Sequence, residues 1–195
     1  TAGDNGVLWP LERLCRRKAL EGLPRLERDQ CLFLNVEPDT IHDPDLAGDG
    51  FLERLRRAGL GPEQVVLELT ERAAVRNYAS FLRTLVGFRE RGFRLAMDDV
   101  GAGYAGLHAI AELGPDFIKA DMQLVRGLHR SAIKRELIAT MARFARNTGI
   151  TLVAEGVEER DELDSLRSIG VPCAQGYLFA RPDAPPRPPD WSSLA

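Results

Sequence analysis

The sequence predicts an α/β protein in which helices cover a parallel sheet. Six short apolar runs of strand length alternate with longer segments whose apolar residues recur every three or four positions. Such alternation is typical of parallel sheets, because a crossover helix must return the chain to the same end of the sheet. The strand number alone leaves two architectures open, an open doubly wound sheet and a (β/α) barrel.

The predicted strands are largely apolar and enriched in β-branched residues, as strands buried on both faces are. Their ranges are 31–36, 65–70, 93–100, 116–121, 150–155 and 173–179. Pro38 ends the first run, since proline cannot donate a hydrogen bond to a sheet ladder.

The predicted helices carry their apolar residues on one face. Their ranges are 11–19, 51–58, 81–86, 105–112, 133–145 and 163–169. Pro10 precedes the first helical pattern, where a first-turn proline is favoured. Gly149 and Gly170 are expected to end the last two helices, because glycine readily adopts the left-handed conformation of a C-terminal cap.

The composition predicts one globular domain over 1–181, long enough to bury a substantial core. A net charge of −3 provides no basic field for a DNA or RNA polymer. It still permits a small anionic substrate, because bound cations can reverse the local sign of a site. No apolar stretch approaches the ~20 residues of a membrane span, and no signal peptide is recognisable. We therefore expect a cytoplasmic protein, or the cytoplasmic part of a larger one, without membrane contact.

The cysteines and the C-terminal segment are expected to be structural or passive. Cys15, Cys31 and Cys173 are widely spaced and form no Cys-x-x-Cys pair, which predicts reduced thiols rather than zinc ligands. The Pro-rich segment 182–195 is predicted to be an extended tail.

Every predicted strand carries a polar residue near its carboxyl end. These residues are Asn35, Glu68, Asp98 with Asp99, Lys119, Glu155 and Gln175. The carboxyl ends of parallel strands meet at one edge of the sheet, where ligands bind. Each residue alone is explained as a turn or capping residue, but that explanation does not account for six coinciding strand ends.

The oxygen donors of this set suit divalent cations. Asn35, Glu68 and Asp98 are hard ligands of the kind that Mg²⁺ or Mn²⁺ prefers. Asp98 and Asp99 are placed to bridge two cations, with Glu155 completing the second site. Two such cations clamp the attacking and leaving oxygens of a phosphoryl displacement. The sequence therefore predicts metal-dependent phosphodiester hydrolysis.

Two residues of the set are predicted to be catalytic. Lys119 supplies a cation that would steady the nucleophilic water or a phosphate oxygen. Glu155 is a metal ligand or, alternatively, the general base that takes a proton from the water.

These residues lie in motifs that resemble those of the EAL domains, bacterial phosphodiesterases specific for cyclic di-GMP. In the family's order, the matching stretches are FLNVEP (33–38), LELTE (67–71), LAMDDVGAGYAGL (95–107), DFIKAD (116–121), LVAEGVEE (152–159) and QGYLFARP (175–182). The resemblance implies a modified TIM-type barrel that hydrolyses cyclic di-GMP to linear pGpG with Mg²⁺ or Mn²⁺ and is inhibited by Ca²⁺.

The resemblance also implies a role for each matching residue. The first metal would be bound by Asn35, Glu68 and Asp98, and the second by Asp98, Asp99 and Glu155. Lys119 would contact the hydrolytic water. The remaining implied residues bind substrate or support the site: Glu71, Asp121, Glu158, Gln175 and Arg181. Among these, Glu71 would anchor the loop 99–107, which links the metal site to a homodimer interface in this family.

The family's opening segment, including the strand with the Glu-Ala-Leu signature, has no counterpart in this chain. An incomplete barrel of about six strands is therefore expected. We favour a fragment of a longer protein, fused to upstream sensory or GGDEF-type domains. The alternatives are a catalytically inactive cyclic di-GMP receptor and a protein-interaction module. The loop reads DDVGAGYAG where the family usually has DDFGTGYSS, which removes bulk and hydroxyl groups.

Overall fold

The structure, a computed structural model, contains one sheet of six strands in sequence order, β1 to β6. It describes residues 7–37, 40–70, 78–101, 106–183 and 192. Sequential order is that of a (β/α) barrel, whereas a doubly wound sheet reverses its order at a switch point. The prediction of a parallel α/β fold is confirmed, and the order favours the barrel type.

All six predicted strands are present. They are β1 (Leu32–Asn35), β2 (Val65–Thr70), β3 (Arg94–Val100), β4 (Phe117–Ala120), β5 (Thr151–Ala154) and β6 (Cys173–Ala174). The last strand is much shorter than predicted. After Gln175 donates its backbone amide to Ala154, the chain turns, and the amide of Phe179 donates to the carbonyl of Gly176. The apolar residues that suggested a longer strand therefore lie in a turn.

The predicted helices are also present, together with short ones that the sequence did not indicate. They are α1 (Leu8–Glu21), α2 (Pro44–Ala47), α3 (Asp49–Arg57), α4 (Tyr78–Glu90), α5 (Gly106–Leu113), α6 (Met122–Val125), α7 (Ala132–Thr148) and α8 (Arg160–Ile169). Gly149 and Gly170 end α7 and α8 with φ of 73° and 82°, as predicted. The new short helices are α2 and α6, each begun by an aspartate cap.

The described residues form two compact units, one up to Leu95 and one from Ala96 to Asp183. The first has an aromatic core in which Phe93 stacks on Phe51 at 5.9 Å and meets Phe88 edge-on at 5.5 Å. The core of the second includes Ile118 of β4 and Leu152 of β5, both almost fully buried. A single domain over 1–181 and a Pro-rich tail remain predictions from the sequence.

Helix α1 is held by ion pairs rather than by its apolar stripe. Leu11 and Leu14, whose spacing predicted this helix, are 48% and 41% exposed, whereas Arg16 is only 4% exposed. The guanidinium of Arg16 lies 2.7 Å from Asp43, and that of Arg13 lies 2.6 Å from the same carboxylate. Asp43 is fully buried and also caps α2 by accepting from the Asp45 amide. The predicted helix is therefore present, but the face that contacts the rest of the first unit is charged and not apolar.

Candidate functional site

In the first unit, Asn35 and Glu68 are in register at the carboxyl ends of β1 and β2. Residues paired across parallel strands point to the same face of the sheet, so these two oxygen donors are neighbours. Glu68 is buried and Asn35 is exposed. Their predicted proximity to each other is confirmed, while their role as metal ligands stays a prediction.

In the second unit, Lys119 is the centre of a charged cluster. It lies on β4, between β3 and β5, and is only 3% exposed. Its Nζ is 2.6 Å from Oε1 of Glu155, which follows β5, and 3.1 Å from Oδ1 of Asp98 on β3. The strand order therefore brings together three of the residues that the sequence placed at one edge.

A β-bulge adds Asp99 to this cluster. Met97 pairs with Ile118 and Val100 with Ala120, so β3 uses one residue more than β4 over the same span. Asp99 lies in this bulge and has a φ of 56°. This is a left-handed conformation, which aspartate tolerates better than most residues do. In a regular strand, adjacent side chains point to opposite faces. Here the carboxylate oxygens of Asp98, Asp99 and Glu155 come within 4.8 Å of one another.

The cluster carries more negative than positive charge, which fits a divalent cation. Three carboxylates lie close together, and the one ammonium group of the cluster, that of Lys119, contacts two of them. Oδ1 of Asp98 is buried and accepts no hydrogen bond, although the Lys119 ammonium lies 3.1 Å away as an ion-pair partner. A buried carboxylate oxygen that accepts no hydrogen bond is one that a hard cation would satisfy.

Gln175 fixes the orientation of Glu155. Its Nε2 donates to Oε1 of Glu155 at 2.7 Å, the same oxygen that Lys119 contacts. Two donors on one oxygen restrict rotation of the carboxylate. Gln175, predicted as a neighbour of the metals or of a guanine, therefore contacts the predicted catalytic glutamate.

Asp121 has a supporting role in the structure. Its Oδ1 accepts a hydrogen bond of 2.7 Å from the amide of Gln123 and caps the first turn of α6. The side chain is buried. Its assignment to the residues that bind substrate or support the site stays a prediction, and the sequence did not indicate the helix that it caps.

A cavity of about 480 Å³ lies beside this cluster in the second unit, sharing Gln175 with it. Its lining consists of Met122, Arg126, Gly156, Glu158, Gln175, Gly176, Tyr177, Ala180, Arg181 and Pro182. Arg181 lies over the Tyr177 ring, 4.6 Å from its centroid, a cation–π contact. Glu158, Gln175 and Arg181, all predicted site residues, are thus brought together here.

Tyr177 and Arg126 are among the lining residues that were not predicted from the sequence. Tyr177 lies inside the QGYLFARP motif, between the predicted site residues Gln175 and Arg181, and that position was an available signal. Arg126 gave no signal, because it follows α6, a helix too short for its periodicity to be recognised. Glu71 and residues 102–105 of the loop 99–107 lie outside the described residues.

A second acidic group in this unit is already satisfied by the backbone. Glu162 accepts hydrogen bonds from the amides of Gly127, Glu158 and Glu159. Burial alone would raise the pKa of Glu162, but these donors and nearby His129 hold the pKa below its usual range. Glu162 therefore organises the backbone around residues 127 and 158–159.

Cys15, Cys31 and Cys173 are free thiols. Among the described residues, no helix combines the length and the hydropathy needed to cross a bilayer.

Comparison with known proteins identifies the family. The EAL domain family model matches residues 1–182. The cyclic di-GMP phosphodiesterase RocR of Pseudomonas aeruginosa is 37% identical over 77% of this chain and 38% of its own length. The blue light- and temperature-regulated antirepressor BluF of Escherichia coli is 30% identical over 78% of this chain and 38% of its own length.

Solved structures share the fold. Klebsiella pneumoniae BlrP1, solved with calcium and cyclic di-GMP, superposes with a TM-score of 0.82 at 36% identity, covering 93% of this chain and 46% of BlrP1. Its complex with manganese and cyclic di-GMP gives a TM-score of 0.79 at 36% identity, over 89% and 45% of the two chains.

The chain spans between 18% and 38% of the lengths of eight curated relatives. With a family model that covers residues 1–182 and a fold shared with these structures, the chain belongs to the EAL domain family.

Proposed function

We propose that this domain hydrolyses cyclic di-GMP to linear pGpG with the help of divalent cations. The observation that carries the proposal is the cluster in which Lys119 contacts both Asp98 and Glu155 while Asp99 adds a third carboxylate. The relatives named as cyclic di-GMP phosphodiesterases, RocR and PdeB among them, support the same substrate.

The donor set supports Mg²⁺ or Mn²⁺ as the cation. Asp98, Asp99 and Glu155 would hold it, and the buried Asp98 oxygen that accepts no hydrogen bond is the observation that favours a bound ion. When bound, such a cation polarises the phosphoryl oxygens and lowers the pKa of a coordinated water. A second cation bound by Asn35, Glu68 and Asp98, and inhibition by Ca²⁺, are proposed from the family resemblance.

The chain's own residues supply positioning and proton transfer. The Lys119 ammonium provides fixed positive charge for an attacking water or a phosphoryl oxygen, whose negative charge grows in the transition state. Glu155 is held by Lys119 and Gln175 in a defined orientation, which suits a group that accepts the water's proton. Attack of the water at one phosphorus forms a P–O bond and breaks the bond from that phosphorus to the 3′ oxygen, which takes up a proton and leaves as a hydroxyl group, so the opened dinucleotide keeps the phosphate at its 5′ end.

The neighbouring cavity is proposed to receive one guanine of the substrate. The Tyr177 ring offers an aromatic face to a base, and the Glu158 carboxylate accepts hydrogen bonds of the kind that the N1–H and N2–H groups of guanine donate. Gln175 lines the cavity and also contacts Glu155, so one residue joins base binding to the acidic cluster.

Two other functions were left open by the sequence, and each has some support. BluF is named as an antirepressor, which favours a protein-interaction module. A receptor that binds without hydrolysis would need the cavity but not the cluster. We favour the enzyme, because a buried lysine paired with two acids has little use in either alternative.

The test is to incubate the full-length protein with cyclic di-GMP and Mn²⁺ and to measure pGpG. We expect Glu155→Ala to abolish turnover while leaving nucleotide binding measurable by calorimetry. Glu159→Ala, which removes a nearby exposed carboxylate, is the control and should keep the wild-type rate. Tight binding without turnover in the wild type would instead support the receptor, and the absence of both would support the interaction module.

Three further proposals concern the whole protein and follow from the sequence and the family resemblance. They are a cytoplasmic location, a homodimer and fusion to upstream sensory or GGDEF-type domains. Light scattering of the purified full-length protein tests the dimer directly.

A further inference from the structure

The four-residue helix α6 is fixed at both ends by side chains. A helix of one turn has little stability of its own, because nucleation fixes several residues for a single hydrogen bond. Asp121 caps its start. At its other end, Nζ of Lys134, from α7, donates to the carbonyl oxygens of Gln123 at 2.6 Å and Arg126 at 2.7 Å. These two residues determine where α6 and the arginine that follows it lie.

Helix α6 packs against the segment that joins Glu155 to Glu158. Gly156 has φ of 68°, and a Cβ there would lie 2.6 Å from Cβ of Met122. Such a distance is shorter than real contacts between these atoms, so only glycine lets the two segments approach this closely. The position of α6 is therefore tied to the strand end that carries the acidic cluster and one wall of the cavity.

Arg126, directly after α6, contacts Glu158 across the cavity lining. Its Nη2 lies 2.5 Å from Oε1 of Glu158, and both residues line the cavity. Both side chains are exposed, by 51% and 42%, so the contribution of the pair to folding stability is small. Its effect is instead on orientation, because it holds one carboxylate oxygen of Glu158 and directs the carboxylate.

We propose that Arg126 is a positioning residue that acts through Glu158 to favour guanine over adenine in this cavity, and that Lys134 holds Arg126 in place. This inference rests on the proposed function. Guanine presents N1–H and an amino group on one edge, and a directed carboxylate accepts from both. Adenine presents a lone pair at N1, which the same carboxylate repels. Selectivity then depends on the orientation of Glu158 as well as on its charge.

The test measures binding of cyclic di-GMP and cyclic di-AMP to the full-length protein in EDTA, by calorimetry, together with KM and kcat in Mn²⁺. Arg126→Gln is expected to weaken cyclic di-GMP binding about tenfold and to lower the preference over cyclic di-AMP by a similar factor. The value of kcat should stay near that of the wild type, since the Lys119 cluster is intact. A merely structural role would not change the ratio between the two nucleotides.

Conservative and control variants separate orientation from charge. Arg126→Lys keeps a cation and should recover part of the selectivity. Lys134→Met should resemble Arg126→Gln, whereas Lys134→Arg should resemble the wild type. The matched control is Arg143→Gln, which removes an exposed arginine of α7 that contacts Thr140, and it should change nothing.

The outcomes distinguish the two proposals. If the wild type binds cyclic di-GMP and Arg126→Gln binds both nucleotides as the wild type does, the inference is overturned and the proposed function stands. If the wild type binds neither nucleotide, the proposed function and the inference are both overturned.

Discussion

Lys119 and its acidic neighbours show how single residues define this site. A buried ammonium group lies within 3.1 Å of Asp98 and 2.6 Å of Glu155. Buried charges are stable only when they are paired. The lysine therefore balances part of the acidic charge, and the carboxylates left over retain the capacity to bind a cation.

Replacing Lys119 by methionine tests that balance. We expect kcat for cyclic di-GMP hydrolysis to fall by about 10²-fold or more, because fixed positive charge in the site is lost. We also expect Mn²⁺ to raise the Tm of the variant more than that of the wild type, since the cation then meets uncompensated acids. Differential scanning calorimetry with and without Mn²⁺ measures the second effect, and an unchanged Mn²⁺ response would contradict this account of the charge.

Asp99 combines a strained backbone with a carboxylate, and two substitutions separate these properties. Asp99→Asn keeps a residue that tolerates the left-handed conformation and removes the charge. Asp99→Ala removes both and should cost about 1 kcal/mol more in unfolding free energy. Both should weaken Mn²⁺ binding. Urea unfolding and Mn²⁺ calorimetry provide the measurements, and equal stability of the two variants would argue against backbone strain.

At the scale of elements, polar side chains fix the short and terminal helices. Asp43 joins Arg13 and Arg16 of α1 to the start of α2, and Asp121 with Lys134 joins α6 to α7. Hydrophobic periodicity does not reveal such anchors, because each involves one or two residues far apart in the sequence. They are the main reason that the environment of α1 could not be predicted.

Asp43→Asn should detach α1 from the first unit. The substitution removes the carboxylate nearest to buried Arg16 and leaves only the longer contacts with Glu12 at 3.4 Å and Asp45 at 3.9 Å, which should cost about 3 kcal/mol of unfolding free energy. The control is Glu21→Gln, which breaks an exposed pair with Lys18 and should cost less than about 1 kcal/mol. Chemical denaturation measures both, and similar losses for the two variants would show that the buried pair does not anchor the helix.

Low pH should destabilise the protein in the same way as Asp43→Asn, by removing the negative charge of Asp43. Burial alone would raise the pKa of Asp43, but hydrogen bonds from Arg13 and the Asp45 amide, with the charge of Arg16, hold the pKa below its usual range. A carboxyl group with a lowered folded-state pKa stabilises the protein above its unfolded pKa of about 3.9 and loses that contribution as the pH falls further. Stability of the wild type should therefore fall more steeply than that of Asp43→Asn below about pH 4, as followed by circular dichroism.

At the scale of the whole molecule, the sequence was informative wherever a pattern repeats. Strand and helix periods predicted all six strands and the longer helices, and the common polarity of the strand ends predicted the acidic edge. It was uninformative where a contact depends on tertiary geometry. The bulge that turns Asp99 toward Asp98, the short helix before Arg126 and the early turn after Ala174 arise from packing and backbone hydrogen bonds that leave no period in the sequence.

The central claim is that this acidic cluster performs metal-dependent cleavage of a cyclic dinucleotide. Its most direct test is the rate of pGpG formation from cyclic di-GMP by the full-length protein in Mn²⁺, after removal of the metal with EDTA, and after its return. We predict turnover with Mn²⁺, loss of turnover on chelation and recovery when the metal is restored. No product with Mn²⁺, or an unchanged rate after complete chelation, would contradict the account.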